Sequence, residues 1–98
     1  MNGPKIPTEP LVRFWNEHPE AETPLRNWLT ICRATDFENF AQLKQTFRTV
    51  DKVGKFVVFD IGGNKYRLIV VVHFNRKRIY VRAVLTHEEY DQDHWKNE

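Results

Sequence analysis

The sequence predicts a single α+β domain over residues 1–98, in which N-terminal helices pack on one face of a small, mainly antiparallel β-sheet. In the first half of the chain, apolar residues recur at helical spacing, whereas residues 55–86 form β-rich segments separated by short polar turns. Such short turns pair neighbouring strands antiparallel, because parallel pairing requires a crossover of about a dozen residues. Helices first and strands afterwards are typical of this class. Residues 92–98 are expected to be a frayed tail.

Two helices and a weaker third are predicted before the sheet. Residues 1–10 contain three prolines and a glycine, which indicates an irregular lead-in. The first helix is expected over residues 11–17 and ends before Pro19. The second is expected over residues 21–33, and residues 36–47 form a short third helix or a turn-rich crossover. The apolar stripe of the second helix holds Leu25, Trp28, Leu29 and Cys32.

Three strands follow the helices. They are predicted over residues 55–61, 66–74 and 79–86, where β-branched and aromatic residues are concentrated. Gly62-Gly63-Asn64 is a strong tight-turn signal between the first two strands, and residues 75–78 form a second, polar turn. We therefore expect an antiparallel meander.

Side-chain alternation along the second and third of these strands separates an apolar face from a mixed face. With Phe74 opposite Ile79, the apolar face of the third strand includes Ala83 and Leu85. The mixed face then collects two arginines, a histidine and a tyrosine, namely Arg67, Arg82, His73 and Tyr80. Such a mixture is unusual for a core and typical of a concave anion-binding surface.

The charge distribution also points to a polyanion. The formal net charge is only +2, yet residues 65–82 contain six basic residues and no acidic one. The basic residues are Lys65, Arg67, Arg76, Lys77, Arg78 and Arg82. A basic middle in an otherwise balanced chain is a candidate nucleic-acid surface, with ordinary solvated strand charges as the alternative.

The segment after the third strand supplies groups for proton transfer. His87 lies at the strand end and Tyr90 follows three residues later, so a turn or short helix projects both on one side. Arg67 is expected to pair near Thr86, which brings it close to them. RNA cleavage without a metal needs a base, an acid and cations, and these side chains provide them. The sequence leaves open that His87 caps the strand and Tyr90 is a boundary core aromatic.

Other chemistries find little support. The single cysteine, Cys32, cannot form an intramolecular disulfide or a Cys-rich zinc site, and its place in the helical stripe predicts a core residue. The histidines lack metal-ligand spacing, so no metal and no cofactor are expected. No apolar run approaches the ~20 residues that span a bilayer, and the N-terminus does not resemble a signal peptide. We expect a cytoplasmic protein that does not contact membranes.

The sequence resembles the HigB family of RelE-like toxins. The resemblance rests on IGGNKYRLI at 61–69, HFN at 73–75 and THEEYD at 86–91, together with FWNEHP at 14–19. It covers roughly residues 11–95. Each motif alone is weak, but their combination in this order is specific.

The resemblance implies a RelE-like fold and cleavage of mRNA in the ribosomal A site. It assigns Arg67 and Arg82 to stabilising the phosphate and the transition state. It gives His87 proton transfer and Tyr90 a positioning or stacking role, while Asp91 orients His87 or an arginine, or caps the next turn. Expected RNA contacts are Lys65, His73, Arg76, Lys77 and Arg78, with the turn residues 76–78 facing rRNA.

The resemblance also implies partners. The expected inhibitor is a HigA-like helix-turn-helix antitoxin, and operator DNA is contacted only through the antitoxin complex. Family members usually begin with a short strand, whereas the prolines of this N-terminus predict a strand that is missing, shortened or confined to an edge. Two alternatives stay open: a non-enzymatic gyrase inhibitor on the same fold and a degenerate RNA-binding module.

Overall fold

The helices lie where the apolar spacing predicts them. The computed structural model describes residues 3–96, and its helices α1, α2 and α3 span Glu9–Glu17, Glu22–Ala34 and Phe40–Thr46. A 3₁₀ turn at Pro19–Ala21 separates the first two helices, as expected from the helix-breaking proline. The third begins after Asn39, whose side-chain oxygen accepts a hydrogen bond from the Gln42 backbone N–H at 2.9 Å. No helix within residues 3–96 is long and apolar enough to cross a membrane.

The strands form a four-stranded antiparallel meander in the order β1-β2-β3-β4. They span Asp51–Val53, Phe56–Ile61, Tyr66–His73 and Arg78–Thr86. The last three confirm the sequence prediction, whereas β1 was not predicted because three residues show no alternation. Helices and antiparallel sheet together confirm the predicted α+β class.

The predicted register of the β3–β4 hairpin is wrong. Val72 pairs with Ile79, so Phe74 lies in the turn rather than opposite Ile79. The partner of Ile79 is therefore two residues earlier in β3 than predicted, and the four-residue turn spans 74–77 instead of 75–78. Lys77 adopts a positive φ of 55° within it.

A β-bulge in β4 changes which side chains share a face. Ile69 pairs with Ala83 and Val70 with Val81, so Arg82 is the extra residue between them. The predicted placement of Ala83 and Leu85 on the main core face is therefore wrong. Leu85 packs against the opposite face of the sheet, and Val84 takes the place on the core side.

The main core lies between the helices and one face of the sheet. Trp28 of α2 contacts Phe59 of β2 edge to face, with ring centroids 5.3 Å apart. Cys32 is fully buried beside them, and this burial raises the pKa of its thiol to about 12, as suits an inert core residue. The largest fully buried side chains include Leu11, Leu25, Leu43, Phe59, Leu68 and Ile79.

A second, smaller core covers the other sheet face. It is built by Phe56, Val58, Ile69 and Trp95, with Val53, Val71, Leu85 and Tyr90 packed against it. Trp95 lies in a 3₁₀ turn, His94–Lys96, and its side chain is 5% exposed. The tail that was expected to fray over 92–98 is thus anchored as far as Lys96, and residues 97–98 lie outside the described residues.

The N-terminal lead-in makes one parallel bridge to the outer edge of β4. The Lys5 N–H donates to the Lys77 carbonyl at 2.9 Å, and the Ile79 N–H donates to the Lys5 carbonyl at 3.0 Å. Pro4 and Pro7 flank this bridge and cannot donate to a ladder. Within the described residues, the lead-in therefore pairs with the sheet edge through this bridge and not through a full strand. Residues 1–2 of the lead-in lie outside the described residues.

Tyr66 joins the start of β3 to the turn after α1. Its hydroxyl donates a hydrogen bond to Glu20 Oε2 at 2.6 Å. This bond lowers the pKa of the Glu20 carboxyl, and the same bond, followed by burial, raises the pKa of Tyr66 to about 12. The pair therefore couples the stability of the fold to pH.

We expect Tyr66→Phe to destabilise the protein at neutral pH and the difference from wild type to shrink at low pH. A carboxyl whose pKa is lowered by folding stabilises above its ordinary pKa, and this contribution is lost as the pH falls through the folded value. The phenol contribution is present below the ordinary pKa of tyrosine and is lost as the pH rises through about 12. Urea unfolding across the acid range measures this effect. A difference that stays constant down to the lowest pH would contradict it.

Candidate active site

Helix α4, His87–Asp91, is built directly onto the end of β4. The Thr86 side chain accepts a hydrogen bond from the Glu89 N–H at 3.2 Å, and the Glu89 carboxylate accepts one from the Thr86 N–H at 3.0 Å. This capping box is encoded by the Thr-x-x-Glu spacing. The His87 N–H also donates to the Lys65 carbonyl at 3.2 Å. The first turn of α4 is thereby fixed to the turn between β2 and β3.

His87 presents its imidazole to solvent at the start of this helix. Its Nε2 lies 3.2 Å from Asp91 Oδ2, one helical turn later, and the two side chains are 53% and 60% exposed. A carboxylate at this distance orients the ring. Asp91 was expected to orient His87 or an arginine, or to cap the next turn. The structure shows it in contact with His87. The imidazole is both oriented and accessible to a large substrate.

Arg67 is held in place by several groups. Its side chain is only 11% exposed, and its Nε lies 3.1 Å from Asp60 Oδ1. A terminal nitrogen donates to the carbonyls of Asn64 and Tyr66 at 3.2 and 3.4 Å. The guanidinium carbon lies 5.3 Å from the centre of the Tyr90 ring, a cation–π geometry. Arg67 and Tyr90 are therefore together, as predicted, but the charge of Arg67 is matched by a neighbouring carboxylate.

The sequence interpretation missed Asp60. The signal was present, because Asp60 and Arg67 flank the Gly62-Gly63 turn symmetrically and pair across β2 and β3. Gly62, Gly63 and Asn64 all adopt positive φ values, of 65°, 62° and 87°, as such a turn requires. Counting outward from the turn places the two opposite charges side by side.

Tyr90 links α4 to the second core. Its ring stacks on Trp95 at 5.1 Å with an interplanar angle of 14°, and Trp95 Nε1 donates to the Tyr90 carbonyl at 3.1 Å. Burial, followed by the nearby Asp51 carboxylate, raises the pKa of Tyr90. The hydroxyl therefore stays protonated at neutral pH and can donate a hydrogen bond. Tyr90 is also a boundary core aromatic, which was the alternative reading of this residue.

Replacing Asp60 with alanine is expected to lower the free energy of unfolding by about 1–2 kcal/mol, because the nearly buried Arg67 guanidinium loses its carboxylate. The matched control is Glu22→Ala, which breaks the exposed Glu22–Arg26 pair and is expected to change stability by about 0.5 kcal/mol. Urea denaturation of both variants measures the contrast. Equal effects would show that Asp60 is an ordinary surface charge.

Arg82 lies between the two ends of the sheet. It is exposed and is the extra residue of the bulge, three residues before Leu85, which pairs with Arg67. At ~3.3 Å per residue it is ~10 Å further toward the β3–β4 turn. The strict alternation that placed it on the face of Arg67 is broken at this residue. Bulges of this kind often re-aim a side chain next to an active site.

The remaining predicted residues gather at two places. The α4 site comprises Lys65, Arg67, His87, Tyr90 and Asp91. The hairpin group comprises His73, Arg76, Lys77 and Arg78, at the opposite end of β3. At ~3.3 Å per residue, β3 separates the two sets by ~20 Å. Alternation predicts a shared face but not a shared position along the strand.

Within the hairpin group, contacts differ from residue to residue. His73 pairs with Arg78 across the strands, and Lys77 makes an exposed ion pair with Asp36, which precedes α3. Across residues 3–96, no three His, Cys, Asp or Glu side chains are grouped closely enough to hold a metal ion.

The family comparison identifies the class of protein that carries this fold and site. Residues 21–93 match the HigB toxin family, described as the RelE-like toxic component of a toxin–antitoxin system, and the chain belongs to this family. Its partner is therefore an antitoxin.

The names of individual relatives include an activity. The chain is 30% identical over 91 residues to an mRNA interferase HigB of Escherichia coli O6:H1, covering 90% of this chain and 85% of that relative. It is 38% identical over 58 residues to the mRNA interferase toxin HigB of Escherichia coli K12 and to the mRNA interferase HigB of Shigella flexneri, covering 56% of each chain.

Proposed function

We propose that this HigB-family toxin is an endoribonuclease, an mRNA interferase that cleaves translated mRNA in the ribosomal A site and so inhibits translation. The observation that carries the proposal is the exposed His87–Asp91 pair at the start of α4, fixed beside Tyr90 and Arg67. The relatives named mRNA interferase support the same activity.

In the proposed reaction, the 2′-oxygen of one nucleotide attacks its own 3′-phosphorus, and the bond to the 5′-oxygen of the next nucleotide breaks. A base removes the 2′-OH proton, and an acid protonates the departing 5′-oxygen. His87 is the proton-transfer residue, oriented by Asp91. Arg82 stabilises the extra negative charge on the phosphorane.

Tyr90 and Arg67 have a positioning role in this scheme. The Tyr90 hydroxyl, protonated because its pKa is raised, donates a hydrogen bond to the phosphate or to the attacking oxygen. Arg67 lies against the ring of Tyr90 and is neutralised by Asp60, so we assign it to holding α4 rather than to direct phosphate binding. Lys65, at the adjoining turn, supplies a further cation for the RNA backbone.

The hairpin group is assigned to RNA binding and not to the reaction. Its members lie ~20 Å from His87, which is too far for chemistry at the same phosphate. We assign Arg76, Lys77 and Arg78 to rRNA phosphates and His73 to RNA contact. Such contacts place the toxin and make its ribosome affinity fall with salt.

The remaining partners follow from the same proposal. The antitoxin is of the HigA helix-turn-helix type, and operator DNA is contacted only through the toxin–antitoxin complex. Because the substrate is mRNA under translation, the toxin acts in the cytoplasm.

Ribosome dependence is tested in a reconstituted translation system with a defined mRNA. Cleavage is expected within the codons being read when ribosomes translate the message. The same mRNA without ribosomes should stay intact at equal toxin concentration. Equal cleavage of the naked mRNA would remove the ribosome from the mechanism. Intact mRNA in both reactions, in contrast, would contradict the nuclease itself.

A further inference from the structure

The second face of the sheet is only half covered. Near the end of β4, α4 and Trp95 close over it through contacts with Leu85 and Ile69. Toward the β3–β4 turn, in contrast, the face is open at Tyr80 and His73, which are both exposed. This open half lies outside the α4 site.

Tyr80 is the main feature of the open half. Its side chain is 42% exposed, and within residues 3–96 only Ile31, at 40%, is a comparably exposed large hydrophobic residue. Tyr80 pairs opposite the partly buried Val71. Its ring meets the imidazole of His73 edge to face, with centroids 5.5 Å apart and an interplanar angle of 81°. The phenol ring is thus supported by a neighbour while much of it faces solvent.

The surroundings of this ring favour an anionic ligand. Arg78 pairs opposite His73, and Arg76 lies in the adjoining turn. Two carboxylates lie nearby: Asp36 is engaged by Lys77, and Glu38 lines the cleft beside His73. Cations therefore outnumber acids around Tyr80.

We propose that the Tyr80 ring, supported edge to face by His73, is a stacking platform for one unpaired RNA base, and that Arg76 and Arg78 bind the flanking phosphates. An exposed aromatic ring on an open sheet surface, edged by arginines, has the chemistry that binds single-stranded RNA. A protein partner would favour a wider apolar patch than a single ring. The inference rests on the proposed RNA-cleaving function and adds a binding site for RNA ~20 Å from His87.

Binding to a short unstructured RNA containing 2-aminopurine tests the platform, because the fluorescence of this base is quenched by stacking. His87→Ala is used as the background so that the RNA stays intact. Tyr80→Leu is expected to weaken binding about 5- to 100-fold and to abolish the quenching, whereas Tyr80→Phe retains both. Ile31→Ala, which removes the other exposed hydrophobic side chain, is expected to bind like the background protein.

The salt dependence separates stacking from phosphate contact. Tyr80→Leu should leave the slope of log affinity against log salt unchanged, whereas Arg78→Ala should reduce it by about one unit. Equal affinity and quenching for Tyr80→Leu and Tyr80→Phe would overturn the platform. So would a loss of antitoxin binding in Tyr80→Leu with unchanged RNA binding, since the surface would then be a protein interface.

Cleavage by the toxin with His87 intact is measured separately. If this toxin cleaves translated mRNA while the Tyr80→Leu variant binds RNA normally, only the proposed stacking platform fails. If it does not cleave mRNA, the proposed function fails, and the quenching still reports on stacking.

Discussion

Replacing His87 with alanine is expected to slow mRNA cleavage about 10²- to 10⁴-fold, the usual contribution of a general acid or base. The free energy of unfolding should stay within about 0.5 kcal/mol of wild type, since this side chain is more than half exposed. The backbone bonds that fix α4 do not involve the imidazole and should persist. Single-turnover cleavage in a translation system, with urea unfolding in parallel, measures both quantities.

The control for this substitution is His94→Ala. His94 is also exposed but lies in the tail turn, outside the α4 site, so cleavage should be unchanged. Asp91→Asn should have a smaller effect than His87→Ala, because the imidazole remains and loses only its carboxylate. Full activity from a folded His87→Ala variant would remove His87 from the reaction.

Replacing Trp95 with alanine is expected to lower the free energy of unfolding by about 3 kcal/mol or more, the usual effect of removing a buried aromatic side chain. Trp95 is 5% exposed, stacks on Tyr90 and meets Phe56 edge to face at 5.8 Å. Its removal opens the second core and releases α4 from the sheet. Cleavage should therefore fall as well, although Trp95 lies outside the α4 site.

The matched variant is Trp95→Phe, which keeps an aromatic ring and loses the hydrogen bond from Nε1 to the Tyr90 carbonyl. It is expected to cost about 1 kcal/mol and to retain most of the cleavage. Urea midpoints together with cleavage rates distinguish the two substitutions. Near-normal stability of Trp95→Ala would mean that the tail does not pack on the sheet in solution.

The sequence predicts the helices and long strands of this fold because their apolar residues are periodic. It does not predict β1, whose three residues are too few to show a period. The bulge at Arg82 is also invisible, since it arises from the pairing of β4 with β3 and not from any turn residue within β4. The anchoring of Trp95 was missed because a lone aromatic residue in a charged segment has no local pattern.

The sequence also predicts part of the candidate site. Arg67 contacts Tyr90, and His87 begins the helix that holds Tyr90, because the Thr-x-x-Glu cap and the glycine turn fix the local geometry. The hairpin group does not join them, because alternation along a strand does not restrict distance along it. Asp60 required the register of the β2–β3 hairpin, which the turn does encode.

Cleavage of translated mRNA by this toxin is tested by inducible expression in bacteria, followed within minutes by mapping of mRNA 5′ ends. We expect new 5′ ends within translated codons for the wild-type toxin and none for a folded His87→Ala variant. Growth arrest with intact mRNA would contradict mRNA cleavage and favour a gyrase-type inhibitor. Normal growth with intact mRNA would contradict it as well and favour a degenerate RNA-binding module.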